Sequence, residues 1–301
     1  MEINFNKIKE YGNIELLARQ LVEGFITGLH KSPYHGFSVE FAEHNLYNAG
    51  ESTRHIDWKV FARTDRLYTK RYEEETNLRC MIVVDNSSSM YYPVETKSKI
   101  GFSLLGAASL AYMLQKQRDA FGLCTFSENI ENMTPVKSTE KHLNLILTLL
   151  QNMFANVPQQ RQSNVAGAIH EVAERIHKRS LVVIFSDMMD KTEKLDEIFS
   201  ALQHLKHNQH EVLLFHVFDK KTELSFDFPE RPFVFVDLET GQEEKLRPSL
   251  VRKAYQAQIQ EIYQEIKVRC GYYKIDFIEA DVAGNIDQIL LSYLIKRKKM
   301  G

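Results

Sequence analysis

The stretch CMIVVDNSSSM, residues 80–90, holds the features that decide the fold of this 301-residue chain. Its first five residues form a continuous apolar run, which is typical of a β-strand buried on both faces of a sheet. The run ends at Asp85, and the DxSxS sequence that begins there offers a carboxylate and two hydroxyls to the following loop. The stretch therefore predicts a parallel sheet covered by helices, with polar groups at its carboxyl edge.

Alternating strands and helices continue from this stretch to the end of the chain. A second fully apolar run, at 181–185, ends at Ser186 and Asp187. Helical patterns lie on either side of it, at about residues 165–178 and 195–206. Strands that alternate with helices of this length predict an α/β fold, with a doubly wound, mostly parallel sheet and helices on both faces.

The chain is expected to contain two domains. Residues 1–76 begin with an amphipathic helix, at about 14–29, and continue as an irregular region with short strands that packs on the main domain. Residues 77–301 form the α/β domain, which carries a β-hairpin insertion near 222–247. The two strands of this hairpin are expected at residues 223–228 and 233–238.

Charge and composition argue against nucleic acid as the main partner. The chain has 38 basic and 40 acidic residues and a formal net charge of -2. Binding to phosphates needs a clustered excess of Lys and Arg. The basic run at 296–299 is interpreted as a solvated helix end that complements the helix dipole.

Cysteine usage and hydropathy indicate a soluble, cytoplasmic protein. Cys80, Cys124 and Cys270 are an odd number of cysteines without CxxC spacing, which supports neither a disulfide framework nor a zinc site. The N-terminus lacks the continuous apolar segment of a signal peptide. No apolar stretch reaches the length of a membrane-spanning helix, so no transmembrane segment is expected.

Oxygen ligands from three separate loops are predicted to meet at the carboxyl edge of the sheet. Asp85, Ser87 and Ser89 follow the first apolar strand. Ser163 precedes a helix, and Asp187 ends the second apolar strand. Carboxylate and hydroxyl oxygens without His or Cys suit a hard cation. We expect Mg²⁺, with Mn²⁺ and Ca²⁺ as alternatives.

This arrangement resembles the metal-ion-dependent adhesion site of von Willebrand factor A domains. Asp85, Ser87 and Ser89 match its first motif. Ser163 stands where that family usually has Thr, and Asp187 matches the closing Asp. In that family the ion leaves one coordination position for a carboxylate of a partner. The resemblance therefore implies a protein partner that offers an acidic residue.

The stretch at 36–77, GFSVEFAEHNLYNAGESTRHIDWKVFARTDRLYTKRYEEETN, is similar to the conserved stretch of domain-of-unknown-function family 58. Asn45 and the pair at 51–52 depart slightly from that pattern. The resemblance extends over about residues 14–300 and implies association with a MoxR-type AAA+ ATPase, in complex assembly or a chaperone-like role. The residues that fit the family pattern are Glu40, Tyr47, Gly50, Arg54, Asp57, Trp58, Ala62, Arg63, Tyr68 and Glu74.

The leading hypothesis is a non-enzymatic interaction module of bacterial type. The alternative is a Mg²⁺-dependent, phosphatase-like hydrolase that uses the same strand-end aspartates, because an Asp in that position can act as a nucleophile. Such an enzyme needs a Lys placed for the phosphate and a second carboxylate as general acid. The chain has no Walker A sequence, so it is not expected to be the ATPase itself.

Overall fold

The computed structural model describes residues 14–31, 44–46, 61–63, 68–70, 78–157, 160–188 and 195–300. The chain separates into two compact units, of which one comprises Met1–Gly24 with Leu78–Gly301 and the other Phe25–Asn77. Compactness alone does not define a domain, so the division into domains 1–76 and 77–301 stays a prediction.

The small unit contains two short strands. Strand β1 (His44–Leu46) pairs with β2 (Tyr68–Lys70) in antiparallel orientation, and His44 lies opposite Lys70. Of the ten residues that fit the family pattern, Ala62, Arg63 and Tyr68 lie within the described residues. The other seven lie outside them.

The described helices and remaining strands follow the alternation that the sequence predicts. The helices are α1 (Ile14–Lys31), α2 (Ser98–Lys116), α3 (Glu140–Ala155), α4 (Val165–Arg175), α5 (Leu195–His207), α6 (Pro248–Tyr272) and α7 (Asp287–Met300). The strands after β2 are β3 (Arg79–Asp85), β4 (Ala120–Phe126), β5 (Ile130–Met133), β6 (Leu181–Ser186), β7 (Glu211–Phe218), β8 (Phe233–Val236), β9 (Glu243–Leu246) and β10 (Asp276–Asp281).

The main sheet has the order β10–β7–β6–β3–β4–β5. Neighbouring strands within β10 to β4 are parallel, and the edge strand β5 is antiparallel to β4. Strands β3 and β6 lie in the interior of the sheet and are buried along almost their whole length. The continuous apolar runs at 80–84 and 181–185 thus correspond to central strands, as predicted.

Helices cover both faces of this sheet. On one face, α4, α5 and α6 pack on a core that includes Met81, Val83 and Ile184. On the other face, α2 lies between α3 and α7. A Cβ at Gly106 of α2 would lie 2.5 Å from Ile289 Cδ1 of α7, so glycine allows this approach without a shift of the Ile289 side chain. The doubly wound, mostly parallel α/β class predicted from the sequence is confirmed.

The insertion after β7 differs in detail from the prediction. A hairpin is present, and β8 pairs with β9 in antiparallel orientation. The predicted strand at 223–228 is wrong, because Lys220–Leu224 form a single π-helical turn. The Asp219 side chain starts this turn by accepting a hydrogen bond from the Thr222 backbone N–H at 3.1 Å.

The interpretation of the C-terminal basic run as a solvated helix end is wrong for its first two residues. Lys296 is buried, and its Nζ lies 2.8 Å from Glu211 Oε2 and 2.7 Å from Asp276 Oδ2. Arg297 forms an ion pair with the buried Asp119. All three carboxylates stand at the amino ends of strands, so α7 neutralises the charges at that edge of the sheet.

Two further expectations from the sequence concern the cysteines and the presence of membrane-spanning helices. Cys80, Cys124 and Cys270 are buried free thiols. Within the described part of the chain, every helix is too short or too polar to cross a bilayer.

The docking of α7 can be tested with Arg297→Ala. Only 2% of the Asp119 side chain is exposed, so removing its cationic partner leaves a poorly compensated buried carboxylate. We expect the free energy of unfolding to fall by about 2–3 kcal/mol, measured by urea denaturation. Lys253→Ala removes an exposed cation from α6 and should change it by less than about 0.5 kcal/mol. Equal effects of the two variants would contradict a docked C-terminal helix.

Candidate metal centre

The Asp85 carboxylate lies at the centre of the predicted site. Asp85 is completely buried at the end of β3. Its Oδ1 accepts a hydrogen bond from the Ser87 backbone N–H at 2.9 Å. Its Oδ2 accepts from Ser163 Oγ at 3.2 Å and from Ser186 Oγ at 2.8 Å. Three loops that are distant along the chain therefore meet at one carboxylate.

A short helix holds the DxSxS loop in a tight conformation. The 3₁₀ helix Ser88–Tyr91 is separated from the end of β3 by two residues, and the Oγ atoms of Ser87 and Ser89 lie 3.0 Å apart. Ser88 fixes this loop to the loop before α4, because its Oγ accepts from the Arg161 N–H at 2.9 Å and its own N–H donates to the Arg161 carbonyl at 3.1 Å. The two hydroxyls therefore stay together on one side of the loop.

Asp187 lies in the same region but makes different contacts. It is buried, and its Oδ2 lies 2.9 Å from Lys99 Nζ. Its backbone carbonyl lies 2.7 Å from His216 Nε2. The charge of Asp187 contributes to the raised pKa of Asp85, so the two carboxylates interact electrostatically. The structure thus brings all five predicted residues to the same edge of the sheet, with Asp187 bonded to a lysine.

Lys99 and Glu223 are parts of this site that the sequence analysis missed. Lys99 Nζ lies between Asp187 and Glu223, 2.5 Å from Glu223 Oε1, and only 1% of the lysine side chain is exposed. Lys99 is the one charged residue in the otherwise uncharged stretch at 98–115. This isolated cation within a buried helix is the signal that would have identified it.

Burial and charge set the protonation of these groups. Burial, and then the charge of Asp187, raise the pKa of Asp85 to about 7. Burial also raises the pKa of Glu223. Burial opposes the charge of Lys99, but the two carboxylates outweigh it, so the pKa of Lys99 is raised. Burial lowers the pKa of His216 to about 4, so this neighbour of Asp187 is neutral.

Among the residues that the structure describes, the charges at the centre do not balance when all three carboxylates are ionised. Asp85, Asp187 and Glu223 carry three negative charges, and Lys99 supplies one positive charge. The difference of two charges equals the charge of a divalent cation. Uncompensated buried charge is costly, so a cation at this position would stabilise the ionised site.

The ligand types also fit a hard cation. Among the described residues, no group of three His, Cys, Asp or Glu side chains forms a metal site on its own. The carboxylate of Asp85 is instead surrounded by serine hydroxyls, from Ser163 and Ser186 directly and from the Ser87–Ser89 pair in the same loop. Oxygen-only sets of this kind suit Mg²⁺, which keeps several waters in its coordination shell.

A cleft of about 850 Å³ opens beside the centre. Its floor includes Ser89, Ser163 and Asp187. One wall is aromatic and the rim is acidic, and both belong mainly to the insertion and to α6. The aromatic residues are Phe226, Phe228, Phe235 and Tyr255, and the acidic rim residues are Asp237, Glu239, Glu243 and Glu244.

The solved structures that this chain resembles in fold have low sequence identity to it. The conserved hypothetical protein BatB from Bacteroides thetaiotaomicron is 12% identical with a TM-score of 0.45, and the alignment covers 74% of this chain and 100% of BatB. The SpRpn10 VWA domain is 14% identical with a TM-score of 0.33, over 46% of this chain and 75% of that domain. These likenesses concern the fold alone.

Sequence comparison gives relatives over a large part of the chain. Uncharacterized proteins of Mycobacterium tuberculosis and Mycobacterium bovis are each 23% identical over 208 residues, which is 69% of this chain. The alignment spans 64% of the length of each relative. The family model described as "Protein of unknown function DUF58" matches residues 43–265, about three quarters of the chain. The chain therefore belongs to the DUF58 family.

Proposed function

We propose that this protein is a non-enzymatic interaction module that binds a protein partner through a Mg²⁺ ion at the carboxyl edge of its sheet. The observation that carries the proposal is the charge imbalance around Asp85. Among the described residues, the buried ammonium group of Lys99 bonds two of the three carboxylates, Asp187 and Glu223. The third carboxylate, Asp85, is surrounded by serine hydroxyls. Mn²⁺ and Ca²⁺ are the alternative ions.

Each predicted residue has a specific role in this proposal. Asp85, Ser87, Ser89 and Ser163 hold the ion through their side-chain oxygens. Asp187 acts from beside it, since one of its oxygens is occupied by Lys99. The bound ion supplies a Lewis-acidic position that accepts a carboxylate oxygen from the partner.

The partner proposed is a protein with an exposed acidic residue, working with a MoxR-type AAA+ ATPase in complex assembly or a chaperone-like role. The chain belongs to the DUF58 family, and this membership supports the proposal. The association with a MoxR-type ATPase is inferred from the resemblance to that family. The net charge of -2 argues against nucleic acid. A cytoplasmic location belongs to the same proposal, and the three free thiols support it.

Metal binding can be tested with Asp85→Asn. At about pH 8 in EDTA, we expect the variant to melt a few degrees above the natural protein. The reason is that the pKa of Asp85 is higher in the folded protein than in the unfolded chain, so ionising Asp85 opposes folding, and this penalty grows as the pH rises towards about 7. In Mg²⁺ the order should reverse, because only the natural protein gains binding free energy. Thermal unfolding by circular dichroism measures both.

Two controls accompany this test. Asp196→Asn changes a carboxylate on α5 whose side chain is 89% exposed, and it should respond to Mg²⁺ like the natural protein. At about pH 5 the advantage of Asp85→Asn in EDTA should shrink, because Asp85 is then protonated in the folded protein. Identical responses of Asp85→Asn and the natural protein to Mg²⁺ would rule out the proposed site.

Partner binding can be tested by affinity pull-down from native lysate, with Mg²⁺ and with EDTA in parallel. We expect a MoxR-type ATPase to be retained by the natural protein in Mg²⁺ and released in EDTA, because the bridging ion is removed. Asp85→Asn should retain much less of it in either buffer, and Asp196→Asn should behave like the natural protein. Retention of this ATPase that depends on neither EDTA nor Asp85 would argue against a metal-bridged interface.

The hydrolase alternative is favoured by one observation. Lys99 and Glu223 lie beside Asp187 and supply the lysine and the second carboxylate that such an enzyme needs. However, Lys99 is buried and bonded to both carboxylates, and Asp85 is fully buried. A substrate phosphate would have to displace these two carboxylates from Lys99, so the interaction module is the better supported function.

A phosphatase screen with Mg²⁺ separates these two functions. We expect no turnover of aryl or alkyl phosphates above the rate of a buffer control, because Lys99 is bonded to Asp187 and Glu223 and Asp85 is fully buried. Robust turnover that disappears in Asp85→Asn would favour the hydrolase instead.

A further inference from the structure

The tip of the insertion is a rigid turn at residues 237–242, called here the insertion turn. The Asp237 side chain accepts hydrogen bonds from the Glu239 backbone N–H at 2.8 Å and from Thr240 Oγ1 at 2.7 Å. Its carbonyl accepts from the Gly241 N–H at 2.8 Å. Gly241 has φ +74, a conformation that favours glycine. These bonds fix the backbone of the turn and the direction in which Glu239 leaves it.

The insertion turn lies against the loop that carries Ser163. Glu239 Oε2 accepts a hydrogen bond from the Ser163 backbone N–H at 3.4 Å. A Cβ at Gly241 would lie 2.6 Å from Gln160 Nε2, so the turn and the loop are in close contact at a second point. Glu239 is half-buried and lines the cleft together with Ser163. Its carboxylate is thus held beside a residue whose hydroxyl contacts Asp85.

We propose that Glu239 is an internal ligand of this metal centre and takes the coordination position that a partner's carboxylate would occupy. This inference rests on the proposed function. A carboxylate fixed on the same chain has an effective concentration on the order of mM, so weakly bound free carboxylates do not displace it. A protein partner that makes further contacts in the cleft can displace the Glu239 carboxylate from the ion. The 3.4 Å bond to Ser163 is long and is readily exchanged for another.

Other acidic residues of the insertion do not share this position. Glu243 and Glu244 line the same cleft, but they lie on β9 and are exposed. Among the described residues, no hydrogen bond joins either of them to the loops after β3, before α4 or after β6. They carry the same charge as Glu239 in the same cleft, so they serve as matched controls.

The inference is tested by isothermal titration of Mn²⁺ into the full chain. We expect Glu239→Gln to weaken Mn²⁺ affinity by about 10–100-fold, as for other groups that support a metal site. Glu243→Gln removes the same charge and should change the affinity by less than about twofold. Gly241→Ala keeps the carboxylate but strains the turn, because position 241 has φ +74, so it should also weaken Mn²⁺ affinity.

A second readout follows the turn itself. Hydrogen exchange at residues 237–242 should slow on Mn²⁺ addition in the natural protein and in Glu243→Gln, but not in Glu239→Gln. Circular dichroism confirms that each variant is folded.

The possible outcomes distinguish the proposed metal centre from the proposed internal ligand, Glu239. Loss of Mn²⁺ binding in Asp85→Asn with unchanged affinity in Glu239→Gln would overturn the internal ligand and leave the metal centre standing. Equal weakening by Glu239→Gln and Glu243→Gln would also overturn it, since the effect would then be one of general charge. Absence of Mn²⁺ binding by the natural protein would overturn both.

Discussion

The buried carboxylate of Asp85 is the constraint on which this part of the molecule depends. Asp85 accepts hydrogen bonds from a backbone N–H and two serine hydroxyls, which together reduce the cost of removing it from water. Lys99, the cation buried beside it, is bonded to Asp187 and Glu223. The α2 helix, the insertion and the ends of β3 and β6 are therefore linked by one electrostatic constraint. A change in charge at the centre therefore alters the electrostatic free energy of groups on all of these elements.

The order of the strands explains why these groups meet. The chain starts the main sheet at β3, adds β4 on one side and then places β6 on the other. This reversal leaves a crevice at the carboxyl ends of β3 and β6, which is where ligands bind in doubly wound sheets. The register pairs Val84 with Phe185, so the next residues, Asp85 and Ser186, end their strands at the same level.

The sequence allowed the sheet and the core of the site to be predicted because both depend on local patterns. Apolar runs identify central strands, and the strand-end rule brings Asp85 and Asp187 to one edge. The partners Lys99 and Glu223 depend on tertiary packing between segments 124 residues apart, which no local pattern encodes. The wrong strand at 223–228 has a similar cause. Its alternating aromatics, Phe226 and Phe228, pack on Phe235 in a cluster of rings instead of in a β-ladder.

The same alternation shows how the hydrophobic pattern can mislead. Period-two spacing indicates that alternate side chains share an environment, and a sheet is only one way of providing it. Here the shared environment is the aromatic wall of the cleft, which Tyr255 of α6 completes. The C-terminal basic run misled for a related reason, because the acidic residues that neutralise it come from β7, β10 and the start of β4.

Strands β8 and β9 form a sheet of their own and share no ladder with the six-stranded sheet. Changes in the length or composition of this hairpin therefore leave the folding core and its ladder hydrogen bonds intact. The amino-acid sequence at the rim of the cleft can therefore vary without a change in Ser89, Ser163 or Asp187 beneath it. If the proposed partner binds in this cleft, exchange of the hairpin between homologous chains would transfer partner preference without altering the main sheet.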